Sequence, residues 1–261
     1  MYSTAQHPIW EPWHPRQLVD AAVEFLARHY FRIELIGLEN LPDEGGALLA
    51  ANHAGMIPLD SVLIVSSVRR HHPRARTVHA IADELLFKIP VLGEQARRSG
   101  QVWATDPAAT KRLLTDGQLV LTYPEGTRGL GKGYAKRYQL QDFGRGGFAA
   151  VAMATGVPIV PVTVIGTEEA YPVLANYKPL ARLLDLPYAP VTPTLPLLGL
   201  AGLLPLPAKI TLVFGEPIGT EPATGAAAMR ERAGALSGQV RSVIQTTLDS
   251  WVGRRRNGGF G

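Results

Sequence analysis

Apolar residues in this chain fall into short unbroken runs, separated by glycine, proline and charged clusters. Ala47-Leu48-Leu49-Ala50-Ala51, Leu119-Val120-Leu121 and Ile159-Val160-Pro161-Val162 have the length of buried strands. They predict strands over 47–51, 118–123 and 158–164. The segment 32–37 alternates and reads as a half-buried strand, expected beside the 47–51 strand. Shorter strands are predicted over 77–82, 102–104 and 210–214. Helical spacing places Leu18, Ala22, Phe25, Leu26 and Tyr30 on one face of a helix over 16–30, packed on the core or lying on a membrane surface. Further helices are predicted over 61–68, over 85–96 with an interruption at Pro90, and over 107–115. Two more cover 148–155, closed by Gly156, and 226–252. The stripe Leu236, Val240, Val243, Ile244, Thr247 and Trp251 points the last helix at the core. Strands that alternate with helices predict an α/β fold, a mostly parallel sheet flanked by helices. We divide the chain into a helical lead-in (1–30), an αβ domain (31–220) and a C-terminal helix with a basic tail (221–261).

Two stretches do not fit a plain core. Residues 195–207 carry no charge and are rich in Leu and Pro. They are too short and broken to span a bilayer, so they either pack in the core or form an apolar surface for lipid. The basic loop 69–76 is either solvated or set against anionic lipid.

Composition narrows the classes. A length of 261 residues, 46% hydrophobic and 18% charged, suits a globular α/β domain. The absence of cysteine excludes disulfides, thiolate nucleophiles and Cys-based zinc sites. A net charge of +4 permits an anionic partner, but basic and aromatic residues do not interleave, so no nucleic acid is expected. No signal-peptide pattern and no transmembrane run are seen.

Candidate chemistry lies where strands end. The 47–51 strand stops at Asn52-His53, Gly55 and Pro58 mark a loop, and Asp60-Ser61 open a helix. His53 with Asp60 is a candidate general base and its orienting acid; the bland alternative is a surface histidine and an N-cap. A second polar turn, Tyr123-Pro124-Glu125-Gly126-Thr127-Arg128, follows the 118–123 strand. There Gly126 lets the backbone approach a ligand, Arg128 offers a fork for phosphate or carboxylate, and Glu125 could accept from hydroxyls. The alternative is a turn with an ordinary ion pair.

Asn52-His53 with a downstream Asp, Tyr123 to Arg128, and Val157-Pro158-Ile159-Val160-Pro161-Val162, in that order, resemble the phospholipid/glycerol acyltransferase family, which includes the lysophosphatidate acyltransferases. The resemblance implies a glycerolipid acyltransferase-like αβ fold, peripheral at the cytoplasmic face of a membrane. It implies acyl transfer from acyl-CoA or acyl carrier protein to a hydroxyl of a lipid acceptor, with no cofactor and no metal. By resemblance His53 is the general base, Asp60 its orienter, and Glu125, Gly126, Thr127 and Arg128 bind the acceptor. Two departures stand out. Six residues separate His53 from Asp60 where the family has four, so Asp60 reaches His53 only if the loop bulges; otherwise another group orients the ring. Asp106 also stands near the place where the family carries an arginine for the acceptor. Lys132, Arg137 or Arg145 could replace that ligand, or the acceptor carries no phosphate. A non-catalytic lipid- or acyl-carrier-binding module is the alternative from a different class.

Overall fold

A computed structural model of the chain describes residues 25–55, 59–82, 102–103, 106–130, 132–183, 189–195 and 197–257. The lead-in up to residue 24 and the helix expected over 85–96 lie outside these residues. In chain order the elements are β1 (Glu34–Ile36), β2 (Ala47–Ala51), α1 (Leu59–His71), β3 (Val78–Ala82), β4 (Val102–Trp103), α2 (Pro107–Thr115) and β5 (Leu119–Thr122). They continue with α3 (Gly147–Thr155), β6 (Ile159–Ile165), α4 (Thr167–Ala170), β7 (Ala175–Asn176), α5 (Lys178–Leu183), β8 (Pro190–Val191), β9 (Thr211–Phe214) and α6 (Ala226–Asn257).

The main sheet runs β1-β9-β6-β2-β5-β3-β4. Its strands are parallel from β6 to β4, while β9 runs antiparallel to β6 and carries β1 parallel to itself. The expectation that β1 neighbours β2 is therefore corrected: β9 and β6 lie between them. Half-burial of β1 reflects its place at the sheet edge, a position that alternation cannot distinguish from a place beside β2.

The unbroken apolar runs follow from a sheet covered on both faces. Ala47, Leu49 and Ala51 of β2 join Leu119, Leu121, Val160 and Val162 in a core under α1, with Leu63, Ile64 and Val68. The intervening Leu48, Ala50, Val120 and Ile159 face α3 and α6, where Ala149, Met153, Val240, Ile244 and Leu248 close the second core. The buried face of α6 is set by Ala233, Val240, Ile244 and Leu248, whereas Val243 of the expected stripe is exposed. The helix also continues past the expected end at 252 to Asn257.

Because β2, β5 and β6 are adjacent and parallel, their C-terminal ends open on one side. Open α/β sheets bind ligands there. The opposite end is stitched by the basic loop: the Arg76 guanidinium donates to the carbonyls of Pro42, Gly45 and Gly117 at 2.7, 2.7 and 2.6 Å. Arg76 thus fixes the turns that enter β2 and β5, at the end away from the candidate site.

Candidate active site

The chain leaves β2 through Asn52, whose side chain prolongs the sheet. Its Nδ2 donates to the Val164 carbonyl at 3.0 Å and its Oδ1 accepts from the Val164 amide at 2.7 Å. The next residue, His53, is thereby released from the ladder. Its backbone N–H instead donates to Glu125 Oε1 at 3.0 Å.

The His53 ring is 9% exposed, and its Nδ1 lies 2.6 Å from Oδ2 of Asp60, which is fully buried. The carboxylate is itself held in place. Its Oδ2 also accepts from the Ala54 amide at 3.3 Å, and its Oδ1 from the Ser61 amide at 2.8 Å. An ionised carboxylate only accepts, so Nδ1 carries the proton and Nε2 is the free acceptor. Among the described residues Nε2 makes no hydrogen bond. The longer His-to-Asp spacing is therefore compatible with direct contact; residues 56–58, which span the difference, lie outside the described set.

Two groups fix the ring further: Tyr123, which the sequence placed in the second polar turn without a role, and Gly129, to which it gave none. Tyr123 stacks on it, with centroids 4.0 Å apart and planes 23° apart. Ser61 Oγ donates to the Tyr123 hydroxyl at 2.8 Å, so the first turn of α1 and the end of β5 hold the imidazole together. Burial, and then the Asp60 charge, keep that phenol protonated well above its usual range. Gly129 is the second group. A Cβ placed there would lie 2.6 Å from the His53 carbonyl oxygen and 2.9 Å from its Cβ. The polar turn can press against His53 only because this position has no side chain.

Glu125 is buried at 1% exposure, and its oxygens are taken by backbone amides of two loops: His53 N–H and, at 2.6 Å, Gln141 N–H. The geometry gives it a clamping role. Gly126, Thr127 and Arg128 are exposed, and Arg128 donates to the Asp142 carbonyl at 3.0 Å.

The candidate anion ligands diverge. Lys132 is buried and ion-paired to Glu168 at 2.9 Å. Burial raises the Glu168 carboxyl above its usual range against the pull of that lysine. Arg137 stacks over the Tyr134 ring at 4.3 Å. Arg145 is exposed. Asp106 is the N-cap of α2, accepting from the Ala109 amide at 2.9 Å, and so has a local structural duty. Among the described residues no group of three or more His, Asp or Glu side chains is placed to hold a metal ion.

Loop 138–142, which meets Glu125, is anchored from α6. Arg241 donates to the Gln141 and Leu140 carbonyls at 3.2 and 3.0 Å, and Gln245 Nε2 donates to the Tyr138 carbonyl at 2.9 Å.

A family model described as Acyltransferase matches residues 32–165, which hold both polar turns. The chain belongs to the acyltransferase family. An uncharacterised protein of Mycobacterium tuberculosis is 44% identical to this family member over 253 residues, covering 97% of this chain and 70% of that protein. A chloroplastic 1-acyl-sn-glycerol-3-phosphate acyltransferase of Arabidopsis thaliana is 31% identical over 153 residues, covering 55% of this chain and 38% of its own length. A bovine DGAT1/2-independent enzyme synthesizing storage lipids is 25% identical over 246 residues, covering 93% of this chain and 66% of its own length. The crystal structure of the 1-acyl-sn-glycerophosphate acyltransferase PlsC of Thermotoga maritima superposes with a TM-score of 0.55 at 17% identity. It covers 95% of this acyltransferase-family chain and 85% of PlsC, so the mostly parallel αβ architecture is shared.

Proposed function

We propose that the chain moves a fatty acyl group from acyl-CoA or acyl carrier protein to a hydroxyl of a glycerolipid-like acceptor, peripherally at the cytoplasmic face of a membrane. The observation that carries this reading is the His53–Asp60 contact of 2.6 Å beneath a turn that follows the neighbouring strand. Asp60 holds the proton on Nδ1, leaving Nε2 to take the proton of the acceptor hydroxyl. The oxygen attacks the thioester carbonyl directly. Collapse of the tetrahedral intermediate expels the thiolate, which recovers the proton from the imidazolium. No acyl-enzyme is needed, in keeping with a chain that has no cysteine.

The acceptor's headgroup divides two readings. Exposed Arg128 and Arg145 suit a lysophospholipid or glycerol 3-phosphate. A non-phosphorylated alcohol is favoured by Lys132 being bound to Glu168 and by Asp106 capping a helix. The bovine relative's role in storage-lipid synthesis agrees with that second reading.

The test is thiol release from acyl-CoA with lysophosphatidate, glycerol 3-phosphate and a monoacylglycerol offered in parallel. His53→Ala and Asp60→Asn should each lower turnover about 100- to 10,000-fold while the protein stays folded. Equal thiol release by the wild type and His53→Ala would remove the histidine from the reaction. Thiol release that needs no acceptor would make the protein a hydrolase.

A further inference from the structure

Exposed apolar side chains are not scattered over this molecule. Among the described residues, eight of the ten exposed large hydrophobics lie on residues 25–26 or within 174–204. Leu197 is 83% exposed, Leu204 68%, Leu174 62%, Leu198 59% and Tyr177 58%, and Phe25 at the other segment is 62% exposed. Isolated exposed leucines are ordinary; a cluster on turns is not.

These turns form one built surface. Thr194 accepts the Leu198 amide at 2.8 Å through its carbonyl, and its hydroxyl donates to the Gly202 carbonyl at 3.2 Å. Gly202 is pressed against Thr194, where a Cβ would lie 2.6 Å from the carbonyl oxygen. The Leu174 amide donates to Val191 at 2.8 Å, tying in the β7–β8 hairpin. The Tyr30 hydroxyl donates to the Pro205 carbonyl at 2.7 Å, which brings in the short helix at Leu26–Tyr30. The leucines are thus held outward by a defined backbone.

Tyr171 connects this surface to the candidate active site. Its hydroxyl donates to the Leu203 carbonyl at 3.1 Å, and its ring lies 3.2 Å from where a Cβ on Gly55 would sit, two residues past His53. Charge indicates the occupant. Over residues 25–33 and 171–207 the sequence carries Arg28, Arg32, Lys178 and Arg182 against Asp185, a net charge of +3. Apolar tips on a net basic ground fit the interface of a bilayer that carries anionic headgroups.

We infer that the described residues of 171–207, with the short helix at Leu26–Tyr30, dock the chain on an anionic lipid bilayer and bring the His53 loop to the lipid surface. The choice of lipid as occupant rests on the lipid-acceptor reading above. Docking through these turns lets an acceptor pass from the bilayer to the imidazole without crossing water.

The experiment is co-sedimentation of the full chain, without substrate, with vesicles of phosphatidylcholine alone or mixed with phosphatidylglycerol. The chain should partition onto the anionic vesicles and weaken with salt. The triple variant Leu197→Ser, Leu198→Ser, Leu204→Ser should lose about tenfold or more in partitioning, with turnover on a short-chain, water-soluble acceptor unchanged. Should the triple variant not fold, Leu197→Ser alone is measured, and it should still lower partitioning. Undiminished partitioning of the variants, or none by the wild type, overturns the inference. So does light scattering that shows a dimer undone by these substitutions, since a second copy would then cover the patch. Vesicle binding with no transfer to any acceptor would fail the proposed activity and leave the docking surface standing.

Discussion

At the scale of single residues, the His53 ring is held from three sides: Asp60 at Nδ1, the Tyr123 ring on its face, and Gly129 against its backbone. Gly129 carries the sharpest prediction. Gly129→Ala forces a Cβ into backbone that cannot swing aside, at a cost of about 1–3 kcal/mol. With His53 as the proposed general base, activity should fall at least about tenfold, since misplacing such a group by about 1 Å is that expensive. Paired kinetics and thermal melts would check it; an alanine variant as active as the wild type would show the contact to be slack. The dyad was legible in the sequence because a strand end, a loop and a helix start set His53 and Asp60 within reach despite the lengthened spacing. The clamp by Glu125 was not. A carboxylate at a turn reads equally well as a ligand for hydroxyls, and only tertiary placement shows that its oxygens receive two backbone amides.

At the scale of elements, strand ends and helix starts were readable because each has a local cause. The helix expected over 107–115 is α2 itself, begun by the Asp106 cap and Pro107. The helix closed by Gly156 ends there because that residue adopts φ 69°. Pairings between distant segments have no local cause, so the order of β1 and β9 stayed hidden, as did the attachment of Lys132 to α4. That attachment is testable. Lys132→Met leaves Glu168 buried without its partner and should cost about 3–5 kcal/mol at neutral pH. A carboxyl raised by burial is stable in its neutral form at low pH, and that contribution is lost as pH rises through the raised value. The deficit of Lys132→Met should therefore shrink at about pH 5 relative to about pH 8. Urea titrations at both values would show it, and an equal deficit at each would contradict the assignment. Pairing Lys132→Met with Glu168→Leu should recover part of the loss, because Glu168 also accepts the Tyr138 amide, which leucine leaves unpaired.

At the scale of the whole molecule, the sheet gathers the site from four separated parts of the chain: the ends of β2, β5 and β6, and α6 through loop 138–142. One hydrogen-bonded route from the C-terminal helix to His53 runs from Arg241 to the Gln141 carbonyl, from the Gln141 amide to Glu125, and from Glu125 to the His53 amide. Past the end of β2 the sheet is continued by a single rung made by a side chain. Asn52 closes the β2–β6 ladder with an amide that both donates and accepts, a pattern no carboxylate can reproduce. Spontaneous hydrolysis of that one side chain, the ordinary ageing of asparagine, would set an anion against the Val164 carbonyl and loosen the sheet where the loop carrying His53 begins. Asn52→Asp mimics the aged protein and should unfold more easily by about 1–3 kcal/mol, as calorimetry would register. The shelf life of this protein is thereby tied to how well its own core shields a single side-chain amide.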